Sequence, residues 1–212
     1  MNRLLRRVLL WFARNAWLRE RLPRLPFMRR AVRRFMPGET LDDALHAAFD
    51  LQVLGIGTLY TKLGENITEL AQAQAVADHY AELLDRSAAA ELDGEISVKL
   101  TQLGLDVDEG ACAAHLERLA ARAEATGSYL WIDMEDRTYV DRTLTLYERL
   151  RATHPRTGIC LQAYLRRTAA DVERLLPLGP AIRLVKGAYD EPASAAFRTK
   201  KEVDASFLGL AL

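Results

Sequence analysis

The chain has 212 residues, 50% of them hydrophobic and 27% charged, which excludes a disordered chain and leaves room for a sizeable core. The 29 basic and 29 acidic residues cancel, but residues 1–36 hold eleven Arg against the single acid Glu20, so the rest of the chain is acidic; basic charge confined to one end, with no recognised nucleic-acid module behind it, argues against a nucleic-acid binder. Cys112 and Cys160 lack CxxC spacing and the four histidines are scattered, so a disulfide framework and a metal site are not expected, and a reducing, cytoplasmic setting suits the chain.

Residues 1–38 read as a basic amphipathic helical arm preceding a domain over 39–212. Leu5, Leu9, Phe12 and Ala16 share one helical face, with Arg3, Arg6, Arg7 and Arg14 mostly off it. No apolar run approaches the ~20 residues that span a bilayer, and there is no signal-peptide core. An arm packed on the body, a peripheral anchor on the anionic inner face of the cell membrane and a transit peptide all fit this pattern.

From residue 39 onward the pattern alternates in type. Helical stretches fall near 40–54, 68–87, 108–126, 139–153, 168–176 and 193–210. Thr40 with Asp43, Thr138 with Asp141 and Thr168 with Asp171 have the spacing of N-terminal caps. Gly127 suits the end of the third helix and Pro192 the start of the last. Between the helices lie "GIGTLYTKLGE", "EISVKL", "SYLWIDM", "GICLQA" and "AIRLVKGA", short apolar runs that read as strands. The last four recur every 23 to 31 residues, from Leu100 to Leu130, Leu161 and Leu184. A βα repeat of that length builds a parallel sheet. "GIGTLY" has only two of the three glycines of a dinucleotide-binding turn, so the open nucleotide-binding form is not indicated. The expected fold is α/β of the (βα)8 barrel type, with about five units present.

Side chains alternate across a strand. One face of the four later runs is aliphatic: Ile96 and Val98, Leu130 and Ile132, Ile159 and Leu161, Ile182 and Leu184. The other carries Ser97 and Lys99, Trp131 and Asp133, Cys160 and Gln162, and Arg183. Barrel chemistry sits at the C-terminal strand ends, so Lys99, Asp133, Gln162 and Arg183 on one parity in successive repeats describe a pocket. A polar network that only fills the barrel is the plainer alternative. Two cations against one carboxylate suit an anionic ligand or developing negative charge. No activated Ser or Cys, metal cluster or phosphate loop is evident, which leaves a Schiff-base lysine or redox chemistry on a bound cofactor.

The motifs "SVKLTQLGLD", "WIDMEDRTYVDRTL", "GICLQAYLRRT" and "IRLVKGAYDEP", preceded by "LYTKLGENIT", resemble the successive strand motifs of the proline dehydrogenase family, over residues 39 to 207. The resemblance implies a (βα)8 barrel that binds FAD across its C-terminal end and oxidises L-proline to pyrroline-5-carboxylate. It assigns catalytic importance to Asp133 and Arg183. Lys99, paired with Asp133, and Tyr189 would meet the proline side. Gln162 and the backbone near Met134 would meet the flavin, with Lys186, Gly187 and Ala188 following the cofactor toward its phosphates. Electrons would pass to a quinone, a partner that the basic arm over residues 1–36 would suit by touching the membrane surface.

Family members continue through three further βα units that have no counterpart here, so a truncated chain is expected, with weak FAD binding and little or no turnover. Two other readings stay open. One is an aldolase-type Schiff-base enzyme using Lys99 or Lys186; the other is a non-catalytic fragment that associates with a partner chain.

Overall fold

The computed structural model describes residue 38, residues 40–64 and residues 67–212; the expected basic arm falls on residues outside them. The chain divides between Asp50 and Leu51 into two compact units. In the first, the described residues form the larger part of helix α1 (Leu41–Val53). Its start is the reciprocal cap the sequence announces. The Thr40 hydroxyl accepts from the Asp43 N–H at 3.1 Å, and the Asp43 carboxylate accepts from the Thr40 N–H at 3.1 Å; two of the amides left open at a helix N-terminus are thereby satisfied.

The second unit runs β1 (Thr58–Thr61), α2 (Leu70–Ala89), β2 (Gly94–Val98), α3 (Glu109–Ala125), β3 (Leu130–Ile132), α4 (Val140–Arg151), β4 (Thr157–Gln162), α5 (Thr168–Leu175), β5 (Ala181–Val185) and α6 (Lys200–Ala211). The strands make one parallel sheet in the order β1-β2-β3-β4-β5. Each strand lies beside its predecessor, so the sheet lacks the reversal of strand order that defines a doubly wound fold. This is the progression of a (βα)8-type barrel, present here as five strands.

The helices follow from apolar spacing. In α2 the buried positions are Ala73, Val76, Ala77, Tyr80, Leu83, Leu84 and Ser87, a stripe of the i, i+3, i+4 kind. Comparable stripes run through α3 and α4. They cover the aliphatic strand face, where the register sets Val98, Ile132, Ile159 and Ile182 side by side. The first three of these are fully buried. The Tyr80 hydroxyl donates to the Ser97 carbonyl at 2.9 Å and accepts from the Lys62 N–H at 2.8 Å, fastening the end of β1 to β2. Gly127, at φ +73°, sits just past the end of α3 as expected.

Three expected helix starts are different in the structure. Thr138 turns back to Asp136 instead of capping α4, and its expected partner Asp141 pairs with Arg167. Thr168 donates to the Gln162 carbonyl at 2.6 Å, while Asp171 holds Arg167. The last helix begins at Lys200 behind a Thr199/Glu202 capping box, not at Pro192. The intervening backbone is taken by an antiparallel bridge between Leu165 and Ala196 and by the Phe197 N–H donating to the Tyr164 carbonyl at 2.8 Å. Thr138 is claimed by a turn two residues back and Thr168 by a carbonyl six residues back, local bonds that compete with the cap, and only the stretch after Pro192 is held by a distant segment.

Candidate active site

The other face of the sheet carries the polar side chains. The ladder brings Arg183 of β5 level with Cys160 of β4, and continuing the register one residue past β3 puts Asp133, whose N–H donates to the Val98 carbonyl at 2.8 Å, on the same row. Arg183 reaches across the sheet and donates through Nη2 to the Asp133 carboxylate and, at 2.9 Å, to the Ser97 hydroxyl. The Ser97 hydroxyl in turn donates to Asp133 at 2.8 Å. The side chains of Arg183 and Asp133 retain 27% and 21% of their exposure, so the pair sits in a partly desolvated row where charge-assisted bonds are strong. Asp133 thus takes Arg183 and Ser97 as hydrogen-bond partners. Arg183 lies at the level of Asp133, and its Nη2 serves both oxygen partners.

Directly beyond this row lies an open cleft of about 560 Å³. Lys99, Asp133, Met134 and Gln162 line one part of it, and Val185, Lys186, Gly187, Ala188 and Tyr189 the other. Every residue singled out from the sequence is therefore on this cleft or, for Arg183, bonded to a residue that is. Gln162, 3% exposed, uses its whole amide within the protein. Its Nε2 donates to the carbonyls of Met134, at 3.2 Å, and Glu135, at 2.7 Å; its Oε1 accepts from the Ala188 N–H at 3.3 Å. It ties the ends of β3 and β4 to the segment after β5. Lys186 donates to Asp204 of α6, which also receives Lys200; these cations hold the Asp204 carboxyl below its ordinary range.

Gly187 forms part of the wall, for a reason that lies in its backbone and its neighbour. Its φ is +118°, and a Cβ there would stand 2.1 Å from the Tyr164 ring. Only glycine satisfies both the backbone and the contact. Farther along the same segment, Glu191 is 5% exposed, accepts from the Arg137 backbone N–H at 2.7 Å and forms an ion pair with its guanidinium at 3.2 Å. Glu135, also buried, accepts from the Thr101 N–H at 3.1 Å and hydroxyl at 2.6 Å, which fixes the turn after β2. Ser97, Glu191 and Arg137 were not singled out from the sequence. For Ser97 a signal existed: a small hydroxyl on the same parity as Lys99, two residues earlier.

Both cysteines are buried and free. Burial pushes the Cys112 thiol up to about 12 and raises the Cys160 thiol, against which the neighbouring Arg183 works. A buried, protonated thiol is a poor nucleophile. We expect an aromatic disulfide reagent at pH 8 to titrate neither thiol in the native protein and both in denaturant. The same shift predicts a fold whose stability is constant below the ordinary thiol pKa of 9.0 and declines as pH rises from there toward 12, because only the unfolded state then loses its proton. Among the described residues no cluster of His, Cys, Asp and Glu could hold a metal ion, and no helix is long and apolar enough to cross a membrane.

A family profile described as proline dehydrogenase matches residues 44–211. The chain is 33% identical over 207 residues to proline dehydrogenase 1 of Bacillus subtilis subsp. natto, an alignment covering 98% of this chain and 68% of the relative. It is 36% identical over 181 residues to the proline dehydrogenase of Deinococcus radiodurans, covering 82% of this chain and 58% of that one. Among solved structures, proline utilization A from Bdellovibrio bacteriovorus inactivated by N-propargylglycine superposes with a TM-score of 0.72 at 24% identity. That match covers 83% of this chain but 23% of the other, and it speaks to the fold.

Proposed function

The chain belongs to the proline dehydrogenase family, and on that premise we propose that its cleft is the FAD and proline site of an enzyme oxidising L-proline to 1-pyrroline-5-carboxylate. The observation that carries this reading is the hydrogen-bonded triangle of Arg183, Asp133 and Ser97 set immediately beneath an open cleft at the C-terminal end of a parallel sheet. Chemistry in this architecture sits at that end. The donor set fits a flavin. The cleft has the volume of a small-molecule site, which runs from roughly 300 to 1,000 Å³, and Gly187 and Ala188 offer it a wall without long side chains.

In this reading Met134, Gln162, Lys186, Gly187 and Ala188 hold FAD, and Lys99 and Tyr189 face proline. When bound, FAD supplies the acceptor for the hydride that leaves proline carbon 5. Arg183 provides a fixed positive charge beside a centre that becomes electron-rich. Because Asp133 and Ser97 already orient the guanidinium, no reorganisation is needed at the moment of reaction. Asp133 keeps the row close to neutral before reaction and stops Arg183 from swinging into solvent. Gln162 holds the Ala188 backbone at a set distance from the end of β3, which fixes the width of the cleft. A quinone as the final electron acceptor, met at the membrane surface through the basic residues 1–36, extends the same reading.

Family membership sets the Schiff-base alternative aside, and Lys186 in its ion pair with Asp204 would have to break that pair to act as a nucleophile. The test is a visible absorption spectrum of the 212-residue chain with added FAD, taken anaerobically before and after L-proline. Flavin that is held weakly and bleaches slowly with proline is the expected result for this chain. Protein that keeps no flavin, or flavin whose colour proline leaves unchanged, would overturn the reading for this chain.

A further inference from the structure

One row below Arg183, toward the N-terminal end of the strands, lies an arrangement that the site as described does not use. Trp131 of β3 is in register with Ser97 on one side and Gly158 on the other. Its ring lies over Gly158, where a Cβ would stand 2.5 Å from the ring carbons. Its Nε1–H donates to the Glu95 carboxylate at 2.6 Å, and Tyr129 packs against it with ring centroids 5.2 Å apart. The indole is thereby held from three sides. Its face is met by the Arg183 guanidinium, whose central carbon is 5.4 Å from the ring centroid. That separation and residue pair are those of a cation–π contact, and Trp is the strongest aromatic partner.

We propose that Trp131, seated on Gly158 and anchored by Glu95, is the platform that positions Arg183 in the lumen. This rests on the functional reading of Arg183 given above. The physical need is specific. Arg183 crosses from β5 over β4 to reach Asp133 and Ser97 on β3 and β2, and a side chain that long carries much rotamer freedom to be suppressed. Asp133 and Ser97 fix its far end from the side. A flat aromatic face fixes it from below, which two oxygen acceptors at the tip cannot do. Gly158 is part of the device, since any side chain there would occupy the place of the ring.

The proposal can be tested without flavin or proline, by measuring how fast phenylglyoxal modifies Arg183 relative to Arg174 in the same sample by peptide mass analysis. Arg174 pairs with Glu148 elsewhere on the protein and serves as the internal reference. In Trp131→Leu the Arg183 rate, relative to Arg174, should rise at least about five-fold, and in Trp131→Phe, which restores an aromatic face, it should return to within about two-fold of the parent. Leucine and phenylalanine cover the site comparably, so the difference between them reports the ring face and not simple burial. If Trp131→Leu fails to fold, as judged by circular dichroism, Gly158→Ala decides: it keeps Trp131 but displaces its ring, and should also accelerate modification. An Arg183 rate that is equal in the leucine and phenylalanine variants, or unchanged in folded Gly158→Ala, overturns the proposal. A chain that fails the flavin test but passes this one would retain the platform and lose only the functional reading.

Discussion

Arg183→Leu is expected to lower the rate at which proline bleaches protein-bound FAD by about 10²- to 10³-fold, the usual consequence of removing one preorganised donor from a site where charge develops. The guanidinium is held in place before any ligand arrives. It is about three-quarters buried, bonded to Asp133 and Ser97, and lies over the Trp131 face, so water cannot replace it in the same geometry. Arg183→Lys should recover only part of the loss, because an ammonium lacks the flat, delocalised guanidinium that meets the Trp131 ring. The substitution also leaves Asp133 partly buried with Ser97 as its remaining hydrogen-bond donor, which should cost about 1–3 kcal/mol of stability. Asp133→Asn combined with Arg183→Leu should cost less than the two single changes added together, since residues in contact are not independent. Anaerobic stopped-flow absorbance with thermal melts of each variant would separate the two effects. A rate within about three-fold of the parent in folded Arg183→Leu would remove Arg183 from the chemistry.

The second large effect is structural. Gly187→Ala should lower stability by about 2–5 kcal/mol, from a backbone at φ +118° that L-residues rarely adopt and from a methyl group driven to 2.1 Å from the Tyr164 ring. For a chain of this size that corresponds to a fall in Tm of roughly 5–15 °C. Two comparisons divide the penalty. Gly127→Ala carries a similar backbone cost at φ +73° but meets nothing within 4 Å, so it should cost only about 1 kcal/mol. Tyr164→Ala placed in the Gly187→Ala background removes the collision and leaves the backbone strain. Because Ala188 beside Gly187 is bonded to Gln162, Gly187→Ala should also weaken FAD retention in the anaerobic titration. A melt unchanged from the parent would show that the segment after β5 can move off Tyr164 at no cost.

Much of this architecture is legible in the residues. Ile96, Val98, Leu130, Ile132, Ile159 and Leu161 on one parity, and Ser97, Lys99, Trp131, Asp133, Cys160 and Gln162 on the other, divide the sheet into a helix-facing and a lumen-facing side before any coordinates are seen. The alternation is local, since successive side chains on a strand point oppositely whatever the strand pairs with. The Thr40 and Asp43 cap is local too, closed within a single turn of chain. The spacing of the strand runs specifies parallel βα units, and the ordered motifs of the family place the cleft.

What only the tertiary structure decides is which of these polar groups belong to one another. Lys99 and Arg183 are both cations on the lumen side, and the linear order does not say that Asp133 bonds to Arg183, fifty residues away, with Ser97 completing the triangle. Thr168 carries the same local capping pattern as Thr40, yet the Gln162 carbonyl at the end of β4 claims its hydroxyl. Gly158 looks like any glycine in a strand until Trp131 is found lying across it. The sequence by itself therefore determined the elements and their faces, because those depend on interactions within a few residues. The partners depended on register and on the reach of long side chains across the sheet, quantities that exist only once the strands are side by side.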